Sequence, residues 1–246
     1  MRGSIKLTTV AEIGIYMHWT FWVLIAWVAF SALSQGATIG AAAMSVLFVL
    51  AVFACVVLHE LGHAQMARQF GINTRDITLL PIGGVARLER IPTNPWQEFW
   101  IAVAGPAVNV VIAVALVGLI LALGIPMAVL DGTDAFLRLG FLHQLAAINI
   151  LLVLFNMLPA FPMDGGRVLR ALLAMRFDYF AATVAAARVG QVMAGLFVVL
   201  GLLFNPMLAF IAIFVFLAGR AEVRGVRMRA QRWGEPGFGE PSPPAS

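Results

Sequence analysis

Two histidines and a glutamate, His59, Glu60 and His63, form an H-E-x-x-H motif within an apolar stretch of the chain. Positions i and i+4 of a helix share one face, so both imidazoles can reach a single metal ion. The glutamate between them can then act as a general base toward a water molecule that the metal activates. The motif therefore predicts a metal centre that catalyses hydrolysis.

The surroundings of this motif separate two interpretations. Two imidazoles and a carboxylate inside an apolar span cost several kcal/mol unless they have partners or a function. The alternative to a metal centre is a polar network in which the histidines join neighbouring helices and support the bundle. Ionisable groups at membrane depth are functional by default, which favours the metal centre.

A third metal ligand has one main candidate, Asp164. Catalytic zinc usually has three protein ligands and keeps a fourth position for water. Most other acidic residues fall at the ends of apolar runs or in polar loops, whereas Asp164 lies in Asn156–Gly166, where two prolines and two glycines unwind the chain. Unwound backbone at membrane depth must be buried in protein or line a wet cavity. The residues alone leave a second interpretation equally open, in which Asp164 caps the following helix.

A Gly-Pro pair interrupts another apolar run at Gly105 and Pro106, and Asn109 follows it. Proline bends a helix and frees a carbonyl, and an amide in lipid requires a hydrogen-bond partner. The pattern indicates close helix packing, with a second interpretation in which Asn109 lines an active-site cavity.

The composition defines the elements that must position these residues. Hydrophobic residues make up 61% of the 246 residues and charged residues 11%, and the mean hydropathy is +0.94. An average soluble domain has roughly 25% charged residues, so both a soluble globule and a disordered chain are excluded. The single cysteine, Cys55, excludes an internal disulfide framework.

Apolar runs long enough, or nearly long enough, to cross a bilayer predict an all-α polytopic membrane protein with about six transmembrane helices. They cover about residues 17–33, 44–70, 99–123, 139–158, 181–203 and 206–219. Between the second and third runs, residues 77–80 and 85–88 flank a turn at 81–84, which predicts a small β-hairpin at the membrane surface.

The basic residues favour one orientation of these spans. With six spans, 15 of the 16 basic residues fall on one side and Arg138 falls on the other. The positive-inside rule then places both termini in the cytoplasm. The C-terminal arginines are expected to contact anionic lipid and not nucleic acid. We predict a cytoplasmic segment at 1–16, a membrane domain at 17–220 and a basic, then Pro/Gly-rich, disordered tail at 221–246.

Three motifs in this order resemble the site-2 proteases, which are zinc intramembrane metalloproteases. They are His59-Glu60-x-x-His63, Gly105-Pro106-x-x-Asn109, and the segment from Asn156 through Asp164. The resemblance covers about residues 10–220 and is strongest to the compact six-span branch that includes the sporulation factor IVFB proteases. Many members of this branch carry a nucleotide-sensing CBS module and others a PDZ domain, and we expect neither here.

The resemblance implies an activity and a role for each motif residue. One zinc ion per chain is expected on His59, His63 and Asp164, with Glu60 as the catalytic base. Asn156 and Asn109 are candidates for substrate contact. The expected substrate is a single-span or otherwise membrane-anchored protein, cut within its transmembrane segment in regulated intramembrane proteolysis. A regulatory membrane partner is left unidentified, and the short loops favour a prokaryotic plasma membrane.

The main alternative is a metal-ion transporter that uses the same histidine and aspartate cluster as its transport site. Polar groups at the midplane and broken helices are typical of transporters too. Against this alternative, the sequence has no second half with matching broken helices, and Glu60 lies where a base is needed. The complete set of ligands and base likewise argues against an inactive binding homologue.

Overall fold

A computed structural model describes residues 3–81, 83–90, 92, 94–126 and 140–233 of the chain. Within these residues the protein has seven α-helices and one four-stranded sheet, so the mostly helical class is confirmed. The strands are β1 (Ser4–Val10), β2 (Ile13–His18), β3 (Thr74–Leu80) and β4 (Gly83–Leu88). The helices are α1 (Trp19–Ser34), α2 (Ile39–Gln69), α3 (Pro95–Ala122), α4 (Phe141–Asn156), α5 (Asp164–Ala174), α6 (Tyr179–Leu203) and α7 (Met207–Trp233).

The chain divides into two compact units. The first consists of Met1–Ile91 and Ala104–Val153, and it holds the sheet, α1, α2 and most of α3 and α4. The second consists of Pro92–Val103 and Leu154–Ser246, and it holds α5, α6 and α7 with the beginning of α3.

The sheet of the first unit has the order β1-β2-β3-β4. Strands β1 and β2 form an antiparallel hairpin whose turn places Ala11 and Glu12 at φ values of 49° and 70°. Strand β2 pairs in parallel with β3, and β3 pairs antiparallel with β4. The predicted hairpin is confirmed as β3 and β4, but it is half of a larger sheet that the sequence analysis did not predict.

The N-terminal half of the sheet corrects the start of the first apolar run. Met17 and His18 belong to β2, and the helix begins at Trp19. The apolar residues Ile13, Ile15 and Met17 of β2 are buried on one face of the strand, and of the residues between them Gly14 is buried and Tyr16 partly exposed. His18 caps α1, since its imidazole accepts a hydrogen bond from the Thr20 amide.

Helix α2 packs against this sheet through the half that carries the H-E-x-x-H motif. Ala64 of α2 forms a buried cluster with Ile13 of β2 and Ile77 of β3, and Leu61 and Ala86 pack on it. At the other end, Thr38 caps the helix, with its hydroxyl accepting from the Ala41 amide at 3.2 Å. The sheet therefore fixes the rotation of α2 about its axis at the motif.

In the part of the chain that the structure describes, three helices are long and apolar enough to cross a membrane, namely α2, α3 and α6. The predicted count of six spans is not confirmed. Helices α1 and α4 have 16 residues each, about 24 Å at 1.5 Å per residue, which is shorter than a hydrocarbon core of about 30 Å. The sixth apolar run is the first half of α7, whose second half is rich in arginine.

The second unit packs an irregular segment, residues 157–163, against α6 and α7. Ala160 and Met163 of this segment are buried in a cluster with Ala194, Ala212 and Val215. The unwinding predicted from the prolines and glycines is therefore present, and the segment is partly buried, with Ala160, Phe161 and Met163 inside and Met157 and Pro162 exposed. Helix α7 continues to Trp233, so residues 221–233 of the predicted tail are helical, and residues 234–246 lie outside the described residues.

Candidate metal centre

His59 and His63 lie one turn apart on α2, and both side chains are buried. Their Nε2 atoms are 3.1 Å apart, and their rings meet edge to face at a centroid distance of 4.7 Å. The shared helical face expected from the i and i+4 spacing is therefore present in the folded chain.

The separation of the two nitrogens fits a shared zinc ion. Two nitrogen ligands, each about 2.0–2.1 Å from a tetrahedral zinc, lie roughly 3.3 Å from each other. The observed 3.1 Å between the Nε2 atoms needs only a small adjustment to reach that value. The donor set, two imidazoles on one face of a helix, is the one that zinc selects in hydrolytic sites.

Asn109 contacts the His59 ring at Nδ1, the nitrogen that does not face His63. Its side chain is fully buried on α3, and its Oδ1 lies 3.1 Å from Nδ1 of His59. With Nδ1–H donating to this oxygen, the lone pair of the His59 ring is on Nε2, which faces His63. The sequence left two roles open for Asn109, helix packing or lining a cavity. In the structure its amide contacts His59, a predicted metal ligand, directly. Its predicted contact with substrate stays a prediction.

Gly105 keeps the space beside both ring nitrogens open. A Cβ atom at this position would lie 2.2 Å from Nε2 of His63 and 2.8 Å from Nε2 of His59. A second glycine, Gly62, allows the helices themselves to approach, since its Cβ would lie 2.9 Å from the carbonyl oxygen of Ala104. A cradle that one methyl group would fill, next to two imidazole nitrogens, fits a bound metal ion.

Glu60 lies between the two histidines in sequence and packs on strand β4. A Cβ atom at Gly84 would lie 2.7 Å from Cγ of Glu60 and 3.4 Å from its Oε1. The strand backbone therefore lies directly against the candidate base, and β4 is the last strand of the described sheet.

Asp164 and Asn156 belong to the second unit. Asp164 is the first residue of α5, with Met163 as the N-cap, so the capping interpretation does not describe its position. Its carboxylate is buried, and Oδ1 lies 3.7 Å from Nη1 of Arg167. Gly165 lets the irregular segment pack on this turn, because a Cβ there would lie 2.3 Å from the carbonyl oxygen of Leu158. Asn156 is the last residue of α4.

A buried ion network in the second unit was missed by the sequence analysis. Arg170 of α5 donates from Nε to Oε1 of Glu98 at 2.9 Å, and its Nη1 donates to Glu222 of α7. Its guanidinium also lies 5.0 Å from the ring centroid of Phe161. Burial alone lowers the pKa of Arg170, but Glu98 above all, followed by Tyr179 and Glu222, raises it beyond its ordinary value. Arg170 had been counted only as one of the charges that orient the chain.

A second buried amide, Asn149 of α4, was also missed. Its Nδ2 donates to the carbonyl oxygen of Leu145 at 2.9 Å and to Sγ of Cys55 at 3.4 Å. Cys55 precedes His59 by one helical turn, so this contact lies on the motif's side of α2. An asparagine inside an apolar run was the available signal, as it was for Asn109.

Apolar helices, a histidine pair on one helical face and an adjacent glutamate together define a membrane protein with the metal-binding core of a metallopeptidase. The model of peptidase family M50 matches residues 47–138 and 123–202. These ranges contain the H-E-x-x-H motif, Asn109 and Asp164. The chain belongs to peptidase family M50, and the resemblance to the site-2 proteases is confirmed.

Individual relatives agree with this assignment. A zinc metalloprotease of Methanocaldococcus jannaschii is 36% identical over 231 residues, which cover 93% of this chain and 63% of the relative. Stage IV sporulation protein FB of Bacillus subtilis is 26% identical over 130 residues, 50% of this chain and 39% of the relative. The solved structure of a site-2 protease from Methanocaldococcus jannaschii matches with a TM-score of 0.63 and 33% identity, covering 90% of this chain and 95% of that one.

The chain spans about six-tenths of the length of the first curated relatives that it matches. The family match gives the transporter alternative no support, because the matching model is that of a peptidase family.

Proposed function

We propose that the protein is a zinc-dependent endopeptidase that cleaves a transmembrane segment of a membrane-anchored protein. The observation that carries the proposal is the pair of buried imidazoles on α2, with Nε2 atoms 3.1 Å apart and Glu60 between them in sequence. Membership of a peptidase family and the similarity to zinc metalloproteases give this geometry its chemistry.

In this proposal one zinc ion binds to His59, His63 and Asp164. Each of the three residues is buried and offers one ligand atom. Two histidines and one carboxylate leave a fourth position for water or substrate, as hydrolytic zinc sites require. Asn109 fixes the tautomer and orientation of His59, and substitution of such outer partners typically costs 10- to 100-fold in metal affinity or activity.

Zinc, when bound, supplies a Lewis acid for the scissile carbonyl and lowers the pKa of a water molecule toward about 7. Glu60 takes the proton from the attacking water and passes it to the leaving amine. Gly84 of β4 leaves room for the Glu60 side chain beside the strand, because a Cβ atom at this position would lie 2.7 Å from Cγ of Glu60. Asn109 orients the His59 ring for this step, and Gly105 leaves room beside both rings.

The substrate in this proposal is a helix that has locally unwound, since a helix protects its scissile bonds in its own hydrogen bonds. Strand β4 ends the described sheet and lies against Glu60, so an unwound peptide can add to it as a further strand. Asn156, at the end of α4, is proposed as a further substrate contact because the irregular segment begins directly after it.

The proposed topology has six spans, with α1, α4 and α7 crossing beside the three long apolar helices. Large apolar side chains on α1, on α4 and on the apolar first half of α7 are exposed in the protein alone, which is expected where lipid covers them. They include Phe30 of α1, Leu154 of α4 and Phe210 of α7. Both termini are cytoplasmic and the membrane is a prokaryotic plasma membrane in this proposal. A regulatory membrane partner is left open.

The test compares the wild-type protein with Glu60→Gln, a substitution that keeps the size of the side chain and removes its basicity. The variant should hold about one zinc per chain by elemental analysis and lose cleavage of a co-expressed membrane-anchored protein by at least about 100-fold. Proteomic comparison of cells with the two forms should show membrane-tethered precursors that accumulate with the variant. Full cleavage by Glu60→Gln would refute the proposed base. Metal flux into vesicles that is lost in His59→Ala, with no peptide product, would favour a transporter.

A further inference from the structure

A cleft of about 500 Å³ lies between α6 and α7, within the second unit. Its polar wall consists of Arg188 and Gln191 from α6 with Arg220 and Arg224 from α7. The remaining wall is apolar and is formed by Val184, Ala187, Leu217 and Val223. The cleft therefore combines three arginine side chains with an apolar wall.

The positive charge of this cleft is not balanced by the protein that the structure describes. No carboxylate lines the cleft, and within residues 3–233 as described none forms a salt bridge with its three arginines. Arg224 donates from Nε to the carbonyl oxygen of Arg220 at 3.4 Å, and Arg220 lies over the ring of Phe216. Both contacts stay within α7.

The acidic residue nearest in sequence points elsewhere. Glu222 lies two positions from Arg220 and from Arg224, a rotation of about 200° around the helix. It accepts from the buried Arg170 on that other side. Arg220 and Arg224 share a face at i and i+4, where like charges destabilise a helix unless an anion lies between them.

The position of Arg188 adds to this argument. It follows the start of α6 by nine residues, about 14 Å along a helix that is long and apolar enough to cross a membrane. An exposed arginine on such a helix is costly unless it is paired or contacts an anionic headgroup.

We propose that this cleft binds a phosphate anion, held by the guanidinium groups of Arg188, Arg220 and Arg224. Guanidinium forks bind phosphate oxygens through paired hydrogen bonds, and basic pockets between transmembrane helices bind anionic lipid headgroups. The apolar wall at Val184, Leu217 and Val223 would cover the glycerol and upper acyl carbons of a phospholipid. A soluble phosphate has no apolar group that could contact that wall. The proposed catalytic residues take no part in this site, so the proposal stands or fails independently of protease activity.

The experiment measures lipid binding by the full chain, purified in a neutral detergent, through the thermal unfolding midpoint in mixed micelles. Micelles with phosphatidylglycerol should raise the midpoint, and micelles with zwitterionic phosphatidylcholine should raise it much less. Arg188→Gln and Arg220→Gln should each weaken phosphatidylglycerol binding about fivefold, as expected for the loss of one cation beside an anionic lipid. Arg227→Gln is the matched control for the general attraction of a C-terminal arginine to anionic lipid, because Arg227 is exposed on the same helix outside the cleft, and it should weaken binding clearly less than either cleft substitution.

A parallel measurement with inorganic phosphate alone shows whether the bound anion is a lipid headgroup or a soluble phosphate. If millimolar phosphate raises the midpoint and the cleft substitutions remove this effect, the site stands and its ligand is a soluble phosphate. The proposal is wrong if the triple substitution of Arg188, Arg220 and Arg224 by Gln binds phosphatidylglycerol as the wild type does. It is equally wrong if Arg227→Gln weakens binding as much as Arg220→Gln. Should the triple variant fail to fold, the two single substitutions decide.

Discussion

Residue 105 of the metal centre has no room for a side chain beside the two imidazoles. An added methyl group at Gly105 would overlap Nε2 of His63, and α2 and α3 are too closely packed at Gly62 to separate easily. The positions of the two imidazole rings therefore depend on the lack of a side chain at residue 105.

Gly105→Ala should therefore displace the rings and weaken zinc binding by at least about tenfold, in the range found for perturbed outer contacts of metal ligands. Zinc content after dialysis, measured by elemental analysis, checks this. Gly118→Ala on the same helix is the control, since a Cβ there meets nothing within 4 Å, and it should keep full zinc. Normal zinc content in Gly105→Ala would contradict the assigned centre.

The amide of Asn109 offers a second prediction. Asn109→Leu removes the acceptor for His59 Nδ1 and should reduce zinc affinity about 10- to 100-fold. Asn109→Asp keeps an oxygen at that position and should retain most of the affinity. Competition with a chromophoric chelator measures both values. Equal affinities for the leucine variant and the wild type would show that the amide only fills space.

The residues that sequence alone could predict are those whose geometry is local. His59, Glu60 and His63 lie within five residues, and a helix dictates which of them share a face. Asn109 bonds to a ring 50 positions away, so its partner depends on helix packing that no spacing reveals. For that reason Asn109 could only be called a polar group in need of a partner.

At the scale of the elements, the sequence predicted the long helices better than it predicted the sheet. Ile13, Ile15 and Met17 alternate in the way a strand requires, yet Met17 adjoins the apolar run of α1 and was assigned to it. In strand β1 six of the seven residues are exposed, so it has no buried face that an alternating apolar pattern could reveal. The hairpin of β3 and β4 was predictable because its turn lies between two apolar segments.

The buried ion network at Arg170 connects α5 to the beginning of α3 through Glu98 and to the second half of α7 through Glu222. Its carboxylates lie 72 and 52 positions from Arg170, which explains why charge counting assigned Arg170 to a membrane face. Because α5 begins at Asp164 and Arg170 also contacts the ring of Phe161, the network supports the helix that carries the proposed third ligand.

Arg170→Met should lower the free energy of unfolding by about 3–5 kcal/mol, since it leaves the buried Glu98 without its cation. Adding Glu98→Gln should recover part of this loss, because the orphaned charge is then removed. The exposed Arg176 gives the control, and Arg176→Met should change stability by no more than about 0.5 kcal/mol. Denaturant titration in a fixed detergent measures all three. Equal losses at positions 170 and 176 would contradict the network's role.

For the whole molecule, the arrangement in the bilayer follows from hydropathy and charge together. Helices α2, α3 and α6 meet the requirements of length and composition alone, whereas α1, α4 and the apolar first half of α7 are short and need thinning of the bilayer or protein neighbours to cross it. Spacing of apolar runs predicted where these helices lie, but helix length and composition decide how many can span unaided. The distribution of arginines then orients whatever number of spans is present.

Six spans with cytoplasmic termini make opposite predictions for two sets of positions, which can be tested with Cys55→Ala as the background. Cysteines at Gln35 and Phe204, which follow α1 and α6, should react with a membrane-impermeant maleimide in intact cells. Cysteines at Arg176 and Arg227 should react only after the cells are permeabilised. All four positions are exposed in the protein, so burial cannot produce the contrast. If α1 lay on the membrane surface without crossing, Gln35 would behave like Arg176. If α7 failed to cross, Arg227 would be labelled from outside together with Phe204.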